Sequence, residues 1–189
     1  MKLIAGIFVG GRATRMGGVA KGLLLAPDGE PIVVRTRRLL EDAGATCVLV
    51  GRHPAYADLG LETLPDDPEA DGPLAGLLAL LERAHPMDAH AIAVACDMPL
   101  LERGLLGRLI HAPSAGIVAP RRAFWEPFFA RYEPSVLAVA RAYARSGGKK
   151  LQLLFEQAGA RALALTAEED ATLVDWDLPA DALRDTTRA

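Results

Sequence analysis

The chain opens with a short, continuously apolar run that leads directly into a glycine-rich stretch. Residues 3–9 (LIAGIFV) carry no charged side chain, and a short run of this kind is typical of a strand buried on both faces. A strand that is covered on both faces needs helices on either side of its sheet, as in α/β proteins. This run therefore constrains the fold more than any other feature of the sequence.

Apolar runs continue to alternate with helix-like segments along the rest of the chain. Further strands are predicted at residues 46–50, 61–64, 91–95, 116–119, 128–132, 161–165 and 172–176. Helices are predicted at residues 31–43, from Pro73 onwards, and at residues 102–111, 135–145 and 149–157. The alternation predicts an α/β fold in which a mostly parallel, twisted sheet has helices on both faces. The length of 189 residues suits a single three-layer domain over residues 1–189.

Composition excludes several classes of function. The net charge of -3 argues against a nucleic-acid binder, because such proteins usually carry a basic excess or a basic stripe. Cys47 and Cys96 form no C-x-x-C pair, which argues against a zinc site or a redox motif and favours a reducing, cytoplasmic location. No segment is long and apolar enough to cross a membrane, so no membrane partner is expected.

The stretch after the first strand has the chemistry of a phosphate site. Residues 10–21 (GGRATRMGGVAK) contain four glycines together with Arg12, Arg15 and Lys21. Glycines allow backbone N–H groups to approach phosphate oxygens, and the cations add charge. The stretch has neither the dinucleotide-binding spacing nor the P-loop ending. The alternative is a flexible turn with solvated charges, but three cations among four glycines favour phosphate binding.

Two aspartates lie at positions in the sequence that indicate a functional role. Asp97 follows the predicted strand at residues 91–95, and a carboxylate at the exit of a buried strand is well placed to hold a hard cation. Asp66 opens an acidic turn that leads to Pro73, which is a preferred residue for the first turn of a helix. For both residues the alternative is a structural turn, and for the acidic turn the residues alone favour that alternative.

These segments together resemble the nucleotidyltransferase superfamily. The resemblance covers residues 8–11 (FVGG), 15–17 (RMG), Lys21, 72–76 (GPLAG) and 96–99 (CDMP). The double glycine is similar to the branch of the molybdenum cofactor guanylyltransferases. Residues 125–132 (WEPFFARY) resemble a segment on the acceptor side of that branch. An aromatic strand that packs in the core is an equally good explanation of these residues.

The resemblance implies a Rossmann-like nucleotidyltransferase fold and a set of site residues. Arg15, Lys21 and Asp97 would be the catalytic residues, with Mg²⁺ as the cofactor held by Asp97. The nucleotide-binding residues would be Phe8, Val9, Gly10, Gly11, Lys21, Asp66 and Asp97. Asp67 is an alternative to Asp66, because the spacing to residue 72 can be aligned in more than one way.

The end of the chain departs from the family pattern. The family's asparagine–x–asparagine–threonine–proline segment corresponds to residues 175–179 (DWDLP). If residues 172–176 form a strand, Asp175 and Asp177 point to the same face of it. We therefore expect Asp177, and then Asp175, to complete the metal site opposite Asp97. The alternative is that both aspartates end the strand and face water.

The activity implied by the resemblance is transfer of GMP from GTP to the terminal phosphate of a molybdopterin-type cofactor, with release of pyrophosphate. Expected partners are GTP, the molybdopterin cofactor, and apo-molybdoenzymes or other cofactor-biosynthesis proteins. Two alternatives stay open at this point. One is a cytidylyltransferase or sugar-phosphate nucleotidyltransferase of the same fold, and the other is a non-catalytic GTP-binding module.

Overall fold

The computed structural model describes residues 1–9 and 20–176 of the chain. Within these residues the strands are β1 (Leu3–Phe8), β2 (Thr46–Val50), β3 (Glu62–Leu64), β4 (His90–Ala95), β5 (Ile117–Pro120), β6 (Phe129–Tyr132) and β7 (Arg161–Leu163). The helices are α1 (Ile32–Asp42), α2 (Pro73–Ala84), α3 (Arg103–His111), α4 (Val136–Arg145), α5 (Leu151–Gln157) and α6 (Ala167–Thr172). Short 3₁₀ helices cover Lys21–Leu23, Pro54–Leu59 and His85–Met87.

The strands of the described residues form one mixed sheet in the order β3-β2-β1-β4-β6-β5-β7. The pairs β1–β2, β1–β4, β2–β3 and β5–β7 are parallel, whereas β6 runs antiparallel to both of its neighbours, β4 and β5. The predicted α/β fold with a mostly parallel sheet is confirmed. The consecutive parallel strands place their carboxyl ends at one edge of the sheet, where ligands bind in α/β proteins.

Helices cover both faces of the sheet because successive strand residues point to opposite sides. Ile4 and Val48 are buried on one face, in a cluster with residues of α2, α4 and α5. Ala5 and Leu49 are buried on the other face, with residues of α1 and α3. The predicted three-layer arrangement is therefore present, and the continuously apolar first strand is its central element.

The strand predicted at residues 172–176 is wrong. Residues Ala167–Thr172 form α6, a helix that the sequence reading missed, and residues 173–176 have no regular secondary structure. A reciprocal capping box starts α6: the Thr166 hydroxyl accepts a hydrogen bond from the backbone N–H of Glu169, whose carboxylate accepts one from the N–H of Thr166. Because no strand reaches Asp175, the argument that Asp175 and Asp177 share one face of a strand has no basis.

Candidate active site

A cavity of about 890 Å³ opens at the carboxyl ends of the central parallel strands. Its lining includes Phe8 at the end of β1, Val50 at the end of β2 and Ala95 at the end of β4. Val9, which follows β1, also lines it. The cavity therefore lies where the sequence predicted a ligand site, and Phe8 and Val9 are both part of it.

Lys21 and Asp97 meet at the centre of this cavity. The Lys21 Nζ donates a hydrogen bond of 2.9 Å to Asp97 Oδ2, and the two side chains are 18% and 16% exposed. Lys21 begins a 3₁₀ helix after the glycine-rich stretch, and Asp97 follows β4. The structure thus brings together two residues that the sequence analysis had assigned to the same site. We call Lys21 and Asp97 the central pair.

A tyrosine hydroxyl holds the turn that carries Lys21. The backbone N–H of Gly22 donates a 2.9 Å hydrogen bond to the buried Tyr56 hydroxyl. A Cβ at Gly22 would lie 3.1 Å from that hydroxyl and 3.2 Å from the Cβ of Cys96, so a side chain would push the turn away. Burial raises the pKa of Tyr56 above its usual value, which keeps the phenol neutral.

The same surroundings make Cys96 an unsuitable nucleophile, because burial raises the pKa of its thiol to about 12. Sequence reasoning missed Tyr56, which also lines the cavity. No local motif distinguishes a tyrosine that follows a strand from one that merely packs in the core. Its role depends on a contact between residues 34 positions apart in the chain.

One side of the cavity, which we call the acidic wall, consists of Asp66, Gly72, Pro73 and Gly76. Gly72 precedes α2 with φ 59°, a left-handed value that suits glycine, and Pro73 occupies the first turn of the helix as predicted. A Cβ at Gly76 would lie 3.1 Å from the Phe8 ring and 3.5 Å from Asp66 Oδ1. The small residue at position 76 therefore lets α2 approach both β1 and the Asp66 carboxylate.

Asp66 and Asp67 have different surroundings although they are adjacent. Asp66 is exposed and lines the cavity. Asp67 is turned to α4, where Arg141 donates two hydrogen bonds of 2.8 and 2.6 Å to its carboxylate. The hydrogen bonds from Arg141 hold the pKa of Asp67 below its usual value. Of the two alignments that the sequence left open, the geometry therefore favours Asp66 as the residue available to a ligand.

Another part of the cavity lining, which we call the aromatic wall, consists of Glu126, Pro127 and Phe128, and it meets the acidic wall at Phe8. These residues directly precede β6, whose residues are buried in the sheet. The explanation as a core strand is confirmed for the second half of residues 125–132, and a role of the first half on the acceptor side stays a prediction. Residues 126–128 face the cavity, and Phe129–Tyr132 is a core strand.

The remaining predicted site residues lie outside the described residues or close to their end. Gly10, Gly11, Arg15 and Asp177 lie outside the described residues. Asp175 is exposed and lines the cavity, and the neighbouring Trp176 donates its backbone N–H to the Asp97 carbonyl at 3.0 Å. The segment after α6 therefore reaches the central pair, although as irregular chain and not as a strand.

Two observations concern metals and membranes. Among residues 1–9 and 20–176, no group of three or more His, Cys, Asp or Glu side chains could hold a metal ion. A metal at Asp97 would therefore need further ligands from residues outside this range, from a bound substrate or from water. In the same residues, every helix is too short or too polar to span a bilayer.

Arg52 and His53 also line the cavity and were missed by the sequence analysis. Both follow β2, whose carboxyl end lies beside that of β1. Arg52 is exposed, so it adds a cation to the rim between the central pair and the acidic wall. The strand order was the missing information, because the sequence does not say which strand end adjoins the glycine-rich stretch.

Comparison with known proteins gives consistent matches over nearly the whole chain. The family described as MobA-like NTP transferase domain matches residues 5–166. A molybdenum cofactor guanylyltransferase of Pseudomonas putida is 33% identical over 179 residues, covering 92% of each chain. Another, from Cupriavidus pinatubonensis, is 34% identical over 185 residues, covering 86% of this chain and 92% of the relative.

Solved structures show the same fold at lower sequence identity. The molybdopterin-guanine dinucleotide biosynthesis protein A of Archaeoglobus fulgidus superposes with a TM-score of 0.74 at 20% identity, covering 100% of this chain and 98% of that one. A 2-C-methyl-D-erythritol 4-phosphate cytidylyltransferase of Thermus thermophilus superposes with a TM-score of 0.68 at 17% identity, covering 100% and 98%. The fold by itself therefore does not show which nucleotide base the protein binds.

Proposed function

The chain belongs to the MobA-like NTP transferase family, and from that membership we propose that it transfers GMP from GTP to the terminal phosphate of molybdenum-molybdopterin. The products are the guanine dinucleotide form of the cofactor and pyrophosphate. The observation that carries the proposal is the central pair of Lys21 and Asp97, which lies in one cavity with the acidic wall and the aromatic wall. In a nucleotidyl transfer the nucleotide and the acceptor must meet at one charged centre, and the central pair provides such a centre.

The sheet order supports a separate place for each substrate. β3 and β2 lead to the acidic wall and the rim, β1 and β4 lead to the central pair, and β6 follows the aromatic wall. We place the nucleotide on the side of Asp66, with its phosphates at Lys21, and the acceptor on the side of Glu126. In this arrangement the α-phosphate of GTP and the acceptor phosphate meet at the central pair.

The chemistry asks little of the protein beyond alignment and neutralisation of charge. The attacking phosphate is already an anion near neutral pH, so the reaction needs no strong base. Lys21 would give up its contact with Asp97 and neutralise the triphosphate and the departing pyrophosphate. Arg15 is proposed to share this role, and the backbone of Gly10 and Gly11 to contact the base or the sugar.

Mg²⁺ is the proposed cofactor, and the donor chemistry of the site fits it. Mg²⁺ prefers oxygen ligands and is usually held by one or two carboxylates together with substrate phosphates and water. Asp97 supplies one carboxylate at the cavity, and Asp177 is proposed as a second. When bound, the ion would draw phosphate oxygens together and reduce their repulsion. Replacing Asp177 by Ala is then expected to raise the magnesium concentration needed for half-maximal activity.

The base of the nucleotide is the point that most needs an experiment, because cytidylyltransferases share the fold. We propose measuring pyrophosphate release with GTP, CTP and ATP in turn, each in the presence of molybdopterin extracted from a molybdoenzyme. Release with GTP well above that with CTP or ATP supports the proposal. Equal rates with CTP would move the assignment to the cytidylyltransferase alternative. GTP binding without pyrophosphate release would indicate a non-catalytic GTP-binding module.

A further inference from the structure

Glu126 has no role in the phosphate chemistry proposed above, although it lines the same cavity. A carboxylate repels phosphate, so Glu126 suits a part of a substrate that donates hydrogen bonds. Its side chain is 26% exposed, and the nearest cation among the described residues, Arg122, lies 3.6 Å away. Arg122 itself is more closely bound elsewhere, to Asp170 Oδ1 at 2.7 Å and to the Leu173 carbonyl at 2.6 Å.

The Glu126 carboxylate therefore retains its capacity to accept hydrogen bonds. In the described parts of the chain it accepts none from a protein donor, and its contact with Arg122 is a weak one. Burial raises the pKa of Glu126, as expected for a carboxyl group that lacks compensating donors. Its side chain is partly exposed, so water reaches the carboxylate in the free cavity, and a donor of a bound ligand can replace that water.

The backbone around Glu126 is held by hydrogen bonds, which fix the place of this residue in the cavity lining. The Trp125 N–H donates to Gln152 Oε1, and Gln152 Nε2 donates to the Trp125 carbonyl, both at 2.8 Å. The Glu126 N–H donates to the Pro120 carbonyl at 3.1 Å. The Tyr132 hydroxyl donates to the Pro127 carbonyl at 2.8 Å. The backbone therefore needs no ordering when a ligand binds, and only the Glu126 side chain has to settle.

Phe128 adds a flat apolar surface beside the carboxylate. It is half-buried, lines the cavity, and packs against Phe8 with ring centroids 4.5 Å apart. An aromatic surface next to an unpaired carboxylate suits a planar heterocycle that carries N–H donors on one edge. The two carboxylate oxygens match a pair of adjacent donors particularly well.

We infer that Glu126 recognises the 2-amino-4-oxo edge of the acceptor's pterin ring, through the ring N–H and the adjacent amino group, while Phe128 lies against the ring. This inference rests on the proposed function and adds the residue that selects the acceptor. Guanine presents the same kind of edge, but Phe8 lies between the two walls: its ring packs against Phe128 at 4.5 Å, and a Cβ at Gly76 would lie 3.1 Å from it. Glu126 therefore selects the acceptor, and the affinity for GTP does not depend on it.

The test compares pterin with lumazine, which carries an oxo group in place of the 2-amino group. Their binding to the enzyme with GTP is followed by ligand fluorescence, for the wild type, Glu126→Gln and a matched control, Glu102→Gln, at an exposed site. We expect the wild type and the control to prefer pterin by about tenfold or more, because charged hydrogen bonds contribute strongly. Glu126→Gln is expected to lose or invert this preference, because an amide can donate to the lumazine oxygen.

Each other outcome has a definite meaning. An unchanged preference in Glu126→Gln, or a wild type that binds neither compound, would overturn the inference. A loss of GTP affinity equal to the loss of pterin affinity would assign Glu126 to guanine and also overturn it. Absence of pyrophosphate release by the wild type with GTP and molybdopterin would instead reject the proposed function. Thermal unfolding checks the fold, and Glu126→Asp, which keeps the charge, is expected to retain part of the preference.

Discussion

On the acidic wall, Asp66 stands next to a partner-bound aspartate, whereas on the aromatic wall Glu126 stands without a hydrogen-bond donor among the described residues. The turn of Asp66 is held by an ion pair in addition to backbone bonds, since Arg141 binds the neighbouring Asp67 and the Asp67 N–H donates to the Ala75 carbonyl. The segment of Glu126 is held by hydrogen bonds of its backbone to the Pro120 carbonyl and, through Trp125, to the Gln152 side chain. The two walls thus orient a carboxylate towards the same cavity by different means.

The difference indicates how each wall should respond to a substitution or to a change of pH. An arrangement held by ion pairs depends on pH and on the partner charge. An arrangement held by backbone hydrogen bonds depends on the local fold and little on pH. In the same cavity, the central pair neutralises itself in the absence of a substrate. Its two charges become available when a ligand replaces the contact, so changes at the centre should affect both substrates, and changes on a wall only one.

The largest effect is expected at the centre. Asp97→Asn removes one charge and a metal ligand while keeping the shape of the side chain, so we expect turnover to fall by roughly 100-fold or more. The measurement is pyrophosphate release with GTP and molybdopterin, with Asp88→Asn on the exposed surface as the control. Near-normal, magnesium-dependent release by Asp97→Asn would exclude the proposed role of the central pair.

Lys21→Ala is the second change at the centre, and its effect on the nucleotide should appear as weaker GTP binding. Hydrogen bonds to charged groups contribute about 1.5–3 kcal/mol, which corresponds to roughly a 10- to 100-fold loss of GTP affinity. Lys21 is partly accessible to solvent, so the loss should be smaller at high salt. Titration of GTP at low and high ionic strength measures both effects, and an unchanged affinity at low salt would refute the assignment.

Arg141→Met tests whether an ion pair supports the acidic wall. Arg141 and Asp67 are mostly buried, and we expect the free energy of unfolding at pH 7 to fall by about 1–2 kcal/mol. Because the folded pKa of Asp67 is lowered, its stabilisation is present above its unfolded pKa and is lost as pH falls through the folded value.

The difference between Arg141→Met and the wild type should therefore shrink in acid. Denaturant unfolding at neutral and acidic pH measures it, and Arg145→Met, an exposed change on the same helix, is the control. A difference that stays constant with pH would mean that Arg141 acts through packing and not through the Asp67 charge.

The smallest effect is expected from Tyr56→Phe, which removes only the hydroxyl that holds the Gly22 N–H. A typical hydrogen bond contributes about 0.5–1.5 kcal/mol, so GTP affinity should fall by roughly two- to tenfold. If the hydroxyl acts by positioning Lys21, the change should have little further effect in a Lys21→Ala background. Tyr143→Phe removes a hydroxyl bonded to the Lys150 carbonyl and is the matched control. Additive losses in the double variant would exclude the positioning role.

Local patterns were sufficient for most of the fold. Residues 3–9 indicated a buried strand, and Pro73 marked the start of a helix, because periodicity and turn chemistry act over a few residues. The same kind of reasoning failed at residues 172–176. There the capping box of Thr166 and Glu169 favoured a helix, and the apolar residues that followed were too few to specify a strand.

The predicted site residues also fall into two groups, those that the structure places at the cavity and those that lie outside the described residues. Lys21, Asp66 and Asp97 were predicted as site residues because each belongs to a motif whose residues lie close together in the chain, and the structure places all three at the cavity. Gly10, Gly11, Arg15 and Asp177 stay predictions, since they lie outside the described residues.

By itself, then, the sequence determined most of the strands and helices and the family, because these depend on local pattern and on motifs of neighbouring residues. Only the tertiary structure decided that Asp66 faces the cavity while Asp67 binds Arg141, that Tyr56 holds the turn of Lys21, and that Glu126 lines the cavity with Phe128 and has only a weak contact to Arg122. These outcomes depend on which distant residues the sheet order and helix packing bring together. Side-chain partners of this kind are separated by tens of residues, and no local preference encodes them.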